Sequence, residues 1–139
     1  MATQVYIVED HPLVRQVVSK VIEKMPGLSV CGAASSGEEA LERLKTLKVD
    51  VVLIDMSLPQ MSGLELLRQL QRRRPELPCL IFSGHEESRY VQAALAAGAR
   101  GYLVKGRPAE IERAIGEVIA GRRYISEALR SREPGEGKQ

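Results

Sequence analysis

The sequence contains few of the features that mark secreted, metal-binding or membrane proteins. It has only two cysteines in 139 residues. Cys31 and Cys79 lie in apolar segments where a thiol serves as a small filler, and their spacing fits neither a zinc site nor a redox pair. No apolar run approaches the length of a membrane span, and the N terminus lacks the basic and long apolar regions of a signal peptide. We therefore predict a cytoplasmic protein that does not contact a membrane.

The sequence also lacks a strong charge imbalance. Its formal net charge of +2 is too small to predict nucleic-acid binding by this chain. The three arginines at 72–74 are interpreted as a solvated helix end, where positive side chains complement the helix dipole. There is no internal repeat and no heptad array, and a chain of this length and composition fits one globular domain.

Apolar runs with the character of strands alternate five times with segments of helical period. This alternation is typical of a parallel sheet with crossover helices. The strands are predicted at residues 5–8, 28–33, 51–54, 80–82 and 102–104. Right-handed crossovers, with helices on both faces, favour a doubly wound, flavodoxin-like α/β fold whose five-stranded parallel sheet has the order 2-1-3-4-5. In that order the two cysteines lie on strands that are not neighbours, which disfavours a disulfide.

Polar reactive side chains follow four of the five predicted strands. They are Glu9 and Asp10 after the first, Asp55 after the third, Ser83 after the fourth and Lys105 after the fifth. Because the strand order reverses between strands one and three, the three carboxylates should meet in one crevice at the carboxyl edge of the sheet. Anions that close would raise one another's pKa unless a cation lay among them, and a few carboxylates completed by water suit Mg²⁺.

A site of this composition is suited to holding a phosphoryl group. Asp55 could attack phosphorus as a nucleophile to give an acyl phosphate, while Mg²⁺ and Lys105 neutralise charge and Ser83 donates a hydrogen bond. Each residue also has an ordinary structural interpretation as a cap, a turn residue or a surface charge. Their coincidence at one edge of one sheet favours the functional interpretation.

Four segments together resemble the receiver domain of bacterial two-component response regulators: IVEDHPLVRQ, LIDMSLPQMSGLELL, IFSGHEE and ARGYLVKG. The resemblance extends to about Tyr124. Within the family, EDHPLVR, MSGLELL and GRRYIS are similar to the NarL/FixJ group, whose members carry a LuxR-type helix-turn-helix after the receiver. The resemblance predicts a receiver domain at 1–124 and, at 125–139, a tail or truncated linker to an output domain absent from this chain.

The resemblance implies a role for each residue of the predicted site. Asp55 would accept phosphate from a sensor histidine kinase, and Ser83 and Lys105 would bind the phosphoryl group. Tyr102 matches the switch aromatic, which in the family changes rotamer as the Ser83 hydroxyl moves towards the phosphate. Where many members have a proline directly after the lysine, this chain has Gly106.

The resemblance also implies a magnesium site that uses the predicted carboxylates. The acidic pair is Glu-Asp, where Asp-Asp is common in the family. The implied ligands of Mg²⁺ are Glu9, Asp10, Asp55 and the backbone carbonyl of Ser57.

We predict a phosphoacceptor switch rather than an enzyme, with intrinsic self-phosphorylation from small donors and self-dephosphorylation. Phosphorylation would change the surface of the fourth helix, fifth strand and fifth helix. That change would control homodimerisation and an output domain, a DNA-binding transcription domain missing from this chain, and DNA would be contacted only through it. The alternative is a stand-alone receiver that acts by protein–protein contact.

Three other functions share part of this sequence pattern. A haloacid-dehalogenase-like phosphatase also uses an aspartate after a strand, but it needs a second aspartate two residues on, where this chain has Ser57. A flavin or nucleotide carrier needs a phosphate-cradling loop after the first strand, where EDHP is acidic. A receiver that keeps its site but is regulated by protein contact alone has the same sequence features as the leading hypothesis.

Overall fold

The computed structural model describes residues 2–130, which form a six-stranded parallel sheet with helices on both faces. The strands are β1 (Thr3–Val8), β2 (Leu28–Ala34), β3 (Val51–Asp55), β4 (Cys79–Ser83), β5 (Gly101–Val104) and β6 (Tyr124–Ile125). The helices are α1 (Pro12–Glu23), α2 (Gly37–Arg43), α3 (Gly63–Arg73), α4 (Ser88–Ala96), α5 (Ala109–Ile119) and α6 (Glu127–Arg130). The strand order is β2-β1-β3-β4-β5-β6, so the predicted doubly wound fold is confirmed, with one strand added next to β5.

The central strand β3 is buried on both faces, as its unbroken apolar run predicts. Val52 and Ile54 pack into the apolar core under α2, α3 and α4, whereas Val51 and Leu53 pack into the second core under α1 and α5. Successive side chains of a strand point to opposite faces, so a single strand serves both cores. This packing fixes the end of β3, where Asp55 lies.

The loop after β3 closes tightly behind Asp55. Gly63, the first residue of α3, donates its amide to the carbonyl of Met56 at 3.1 Å. A Cβ at Gly63 would lie 2.8 Å from Met56 Cα, so a larger residue would push the loop away from the strand end. The Ser62 hydroxyl accepts the Glu65 amide at 3.1 Å and caps α3. The loop is therefore anchored at both of its ends.

Both cysteines are free thiols on strands that are not neighbours. Cys79 is fully buried, and burial raises the pKa of its thiol to about 12. It therefore packs as a small apolar side chain. Within the part of the chain that the structure describes, no helix has the length and apolarity to cross a bilayer.

β6 and α6 have no counterpart in the elements predicted from the sequence, and they lie against β5 and α5. Three donors converge on the buried carboxylate of Glu110: the Tyr124 hydroxyl at 2.9 Å, the Ser126 hydroxyl at 2.6 Å and the Glu127 amide at 2.8 Å. The predicted domain boundary at 124 falls at the first residue of β6. The interpretation of 125–139 as a tail or linker stays a prediction, and residues 131–139 lie outside the described part.

Glu110 should make the stability of the fold depend on acid pH. Burial raises the pKa of Glu110, but the Glu127 amide and the two hydroxyls together outweigh it and lower the pKa. Because the pKa of Glu110 is lower in the folded state, the ionised carboxylate adds to the free energy of unfolding above the unfolded pKa, about 4.3. This added stability is lost as the pH falls through the folded pKa. Urea unfolding from pH 7 to pH 3 should show this loss.

Glu110→Gln is the matched control, because it keeps the shape but has no charge to lose. At pH 7 we expect it to be about 2 kcal/mol less stable than wild type, since charged hydrogen bonds are replaced by weaker ones. The difference should shrink towards pH 3. A difference that stays constant with pH would contradict this assignment.

Candidate functional site

A cationic side chain bridges two buried carboxylates at the carboxyl edge of the sheet. Lys105, directly after β5, places its Nζ 3.1 Å from Glu9 Oε1 and 3.2 Å from Asp55 Oδ1. Glu9 follows β1 and Asp55 ends β3; they are 1% and 3% exposed, respectively. The Lys105 amide donates to the Ser83 carbonyl at 2.8 Å, which fixes the backbone from which the ammonium reaches the acids.

Backbone amides from neighbouring loops bind both carboxylates. The Ser57 amide donates to Asp55 Oδ1 at 3.2 Å, and the His11 amide donates to Glu9 Oε2 at 3.0 Å. Ser57 lies two residues after Asp55 and His11 two residues after Glu9, so each loop turns back onto its own acid. These contacts orient both side chains towards Lys105.

Burial and the neighbouring charges have opposing effects on the pKa values of Glu9 and Lys105. Burial raises the pKa of Glu9, and the nearby Asp55 charge adds to this rise against the opposing effects of the His11 amide and Lys105. For Lys105, burial by itself lowers the pKa, but the charges of Asp55 and Glu9 outweigh it and raise the pKa. The ammonium is therefore held in its charged form between two acids.

The Ser83 side chain belongs to a small network at the end of β4. Its hydroxyl accepts the His85 amide at 3.0 Å, and the His85 carbonyl accepts the Tyr102 hydroxyl at 2.8 Å. The His85 ring also stacks on Tyr90 of α4, with ring centroids 4.2 Å apart. Ser83 and Tyr102 are thus connected through the backbone of a single residue, His85, on the loop between them.

The comparisons with known proteins agree with this geometry. The family model described as the response regulator receiver domain matches residues 5–116. This range includes the predicted site residues Glu9, Asp10, Asp55, Ser83, Tyr102 and Lys105. The chain belongs to the response regulator receiver domain family. The family predicted from the sequence is therefore confirmed.

The curated relatives of this receiver domain are response regulators, as predicted. The chain is 43% identical over 124 residues to response regulator GacA of Pseudomonas viridiflava and 41% identical over 123 residues to response regulator UvrY of Escherichia coli K12. Both matches cover 88% of this chain but 58% and 56% of those relatives. The chain thus spans little more than half the length of the curated relatives it matches.

A solved structure gives the same result for the fold. The LuxR-family two-component response regulator from Aurantimonas sp. SI85-9A1 superposes with a TM-score of 0.90 at 33% identity, covering 94% of each chain. The isolated receiver domain of RcsB from Salmonella enterica serovar Typhimurium gives a TM-score of 0.86 at 22% identity, covering 94% of this chain and 98% of that one. At that identity the second match shows the fold alone.

The acidic residues of the receiver domain have the arrangement of a metal site. Glu9, Asp10 and Asp55 each offer a carboxylate oxygen, and the three oxygens lie within 4.8 Å of one another. Hard oxygen donors of this kind suit Mg²⁺, which usually takes one or two carboxylates and completes its shell with water. Asp10 is exposed while the other two are buried, so the cluster opens to solvent on one side, where water can complete the shell. The residues present therefore fit the ion.

The predicted carboxylates, Ser83 and Lys105 lie at the carboxyl edge of the sheet, whereas Tyr102 is the second residue of β5. Their roles in phosphoryl transfer stay predictions. No cis peptide bond occurs between residues 2 and 130, so the bond after Lys105 is trans, and Gly106 has a φ of 91°. The sequence did not predict the contact of Arg15, whose guanidinium donates to the Glu9 carbonyl at 2.7 Å. Its spacing of six residues from Glu9, one helical turn into α1, is the signal that could have identified it.

Proposed function

We propose that this receiver domain is a phosphorylation switch in which Asp55 accepts a phosphoryl group from a sensor histidine kinase. The observation that carries the proposal is the Lys105 ammonium held between the carboxylates of Asp55 and Glu9 at hydrogen-bond distance. An ammonium in that place can stabilise the negative charge of the carboxylate and then the negative charge on the oxygens of an incoming phosphoryl group.

The transfer forms one bond and breaks one. Oδ1 of Asp55 already accepts the Ser57 amide and the Lys105 ammonium, so we assign the attack to Oδ2. Oδ2 forms a bond to phosphorus, the bond from phosphorus to the donor's histidine nitrogen breaks, and that nitrogen keeps the electron pair. Lys105 and the Ser83 hydroxyl bind the phosphoryl oxygens.

Magnesium completes the proposed site. When bound by Glu9, Asp10, Asp55 and the Ser57 carbonyl, Mg²⁺ would supply positive charge that neutralises the acidic cluster and the phosphoryl oxygens. The protein residues alone bring three carboxylates and one ammonium, so the site carries an excess of negative charge that opposes the approach of phosphate.

The switch would begin at Ser83. When its hydroxyl turns to the phosphoryl group, it leaves the His85 amide, and the His85 carbonyl is the acceptor of the Tyr102 hydroxyl. A shift at His85 therefore changes the position available to Tyr102 and the packing of α4, because the His85 ring stacks on Tyr90. The altered surface of α4, β5 and α5 would favour a homodimer and signal to an output domain.

The proposed function requires that phosphorylation depend on both donor and metal. Incubation with phosphoramidate and Mg²⁺ should add one phosphoryl group, measured by intact mass, and EDTA should prevent it. Asp10→Asn should need about ten times more Mg²⁺ for half-maximal labelling, because it removes one charged ligand. An extent of phosphorylation that is the same with and without EDTA would contradict the metal assignment.

The kinase-docking surface is proposed at an apolar groove beside Lys105. The groove has a volume of about 350 Å³ and lies between α1 and the loop from β5 to α5. On its α1 side, Leu13 is 63% exposed and Val17 is 51% exposed, so apolar side chains face solvent next to the site. The donor would bring its phosphohistidine to Asp55 with its own apolar helix face in the groove.

DNA contact would be made by a C-terminal domain outside these residues.

Replacing both Leu13 and Val17 with alanine should slow phosphotransfer from a histidine kinase about tenfold, because these side chains supply the apolar anchor. Labelling by phosphoramidate should not change, since the site is intact. Ile119→Ala is the matched control: Ile119 on α5 is 44% exposed and does not line the groove. The assignment fails if both donors slow equally or if Ile119→Ala has the same effect.

A further inference from the structure

Ser126, which follows β6, makes hydrogen bonds to β5, the strand that directly precedes Lys105. Its hydroxyl accepts the Val104 amide at 2.9 Å, and its own amide donates to the Tyr102 carbonyl at 2.9 Å. Val104 is 6% exposed and directly precedes Lys105. The backbone that places the ammonium is therefore held by a residue from the C-terminal segment, residues 124–130.

The Val104 amide depends on Ser126 because the sheet ends there. β6 pairs with β5 at Gly101 and Tyr102, and within residues 2–130 no strand continues this ladder to Val104. A buried amide without an acceptor is costly, and the Ser126 hydroxyl supplies that acceptor. The Ser126 hydroxyl thus takes the place of the backbone carbonyl that a longer neighbouring strand would offer to Val104.

Glu110 sets the direction of the Ser126 hydroxyl. A serine hydroxyl has a single proton, and at 2.6 Å this proton is donated to Glu110 Oε1. The oxygen lone pairs are then directed to other donors, which here include the Val104 amide. Ser126 is completely buried, so no solvent competes for either bond. Glu110, Ser126 and Val104 thus form a relay that ends one residue from the ammonium.

We propose that Ser126, oriented by Glu110, is a positioning residue for Lys105, and that this relay couples the C-terminal segment to the phosphoryl site. The inference rests on the proposed function, in which Lys105 binds the phosphoryl group. A coupling of this kind is reciprocal. Displacing the C-terminal segment should weaken binding of the phosphoryl group at Lys105, and binding of the phosphoryl group should change how strongly the segment is held against β5. The same strand carries Tyr102, whose carbonyl is the second contact of Ser126.

Ser126→Ala tests the relay, with Tyr124→Phe as its matched control. Both remove one hydroxyl that donates to Glu110, but only Ser126→Ala removes the acceptor of the Val104 amide. We expect Ser126→Ala to slow phosphorylation by phosphoramidate about fivefold, a typical size for coupling through neighbouring residues, and Tyr124→Phe to leave the rate near that of wild type. In a Lys105→Met background, Ser126→Ala should add nothing.

Lysine modification gives a second measurement that does not need phosphorylation. When Lys105 leaves its two carboxylates, its amine should react faster with a limiting amine-acylating reagent, measured by peptide mass spectrometry. We expect faster acylation of Lys105 in Ser126→Ala, with the rate in Tyr124→Phe near wild type and other lysines serving as internal references.

Three results would overturn the inference. They are an unchanged Lys105 acylation rate in Ser126→Ala, an equal effect of Tyr124→Phe, and an equal loss of phosphorylation rate with and without Lys105. If the wild-type protein takes up no phosphoryl group while Ser126→Ala still speeds Lys105 acylation, the proposed function fails and the positioning of Lys105 stands. If the wild type is labelled and Ser126→Ala changes neither measurement, the inference alone fails.

Discussion

Substituting Asp55 with asparagine should reduce phosphorylation by more than about a thousandfold, because the amide has no charged oxygen to attack phosphorus. The loss should be the same with a histidine kinase and with phosphoramidate, since both donors use the same acceptor. Intact mass and radiolabel incorporation measure it. The fold should be kept: the asparagine side-chain oxygen can still accept the Ser57 amide, and one of the three clustered negative charges is removed.

Asp50→Asn is the control at the opposite end of the same strand. Asp50 accepts the Gln4 amide at 2.7 Å and lies just before β3, far from the carboxyl edge. Its amide variant should be labelled at the wild-type rate. Retained labelling of Asp55→Asn, or equal losses in the two variants, would contradict the acceptor assignment.

Substituting Lys105 with methionine should lower both the phosphorylation rate and the stability. The rate should fall about a hundredfold, the usual effect of removing one group that stabilises charge in the transition state. Methionine keeps much of the side-chain length over the Phe82 ring, which lies 5.0 Å from Nζ, so packing changes little. Both effects then report the missing charge.

The stability loss should have its own dependence on pH and metal. Without the ammonium, Glu9 and Asp55 remain buried as like charges, which should cost about 3 kcal/mol near neutral pH. Burial already raises the pKa of Glu9 in the wild type, and a carboxyl with a raised pKa stabilises the fold as pH falls through that value. The deficit in urea unfolding should therefore shrink on acidification and on adding Mg²⁺. A deficit independent of both would show that Lys105 acts by packing.

The sequence predicted the sheet and the site together because both depend on strand ends. Four apolar runs followed by a polar reactive residue imply a parallel sheet, and a parallel sheet brings those residues to one edge. The contact of Lys105 with Glu9 and Asp55 is a direct result, although 96 residues separate Lys105 from Glu9. What the sequence could not predict is which acid the ammonium binds, because the side-chain geometry depends on the loops.

The C-terminal segment was missed for a physical reason. A strand of two residues has too little apolar periodicity to be recognised, and the arginines at 122 and 123 before it are typical of a solvated end. Glu110 is typical of an acid in the first turn of a helix. Only the folded chain shows that Glu110 is buried and that three donors from residues 124–127 converge on it.

The most direct test of the account is to locate the phosphoryl group on the wild-type protein. An acyl phosphate is reduced by borohydride to an alcohol, which converts aspartate to homoserine and leaves phosphate esters of serine and tyrosine unchanged. After treatment with phosphoramidate and Mg²⁺, reduction and peptide mass spectrometry should find homoserine at position 55 and at no other aspartate. Homoserine at another position, or a phosphoryl group that survives reduction on another side chain, would contradict the account.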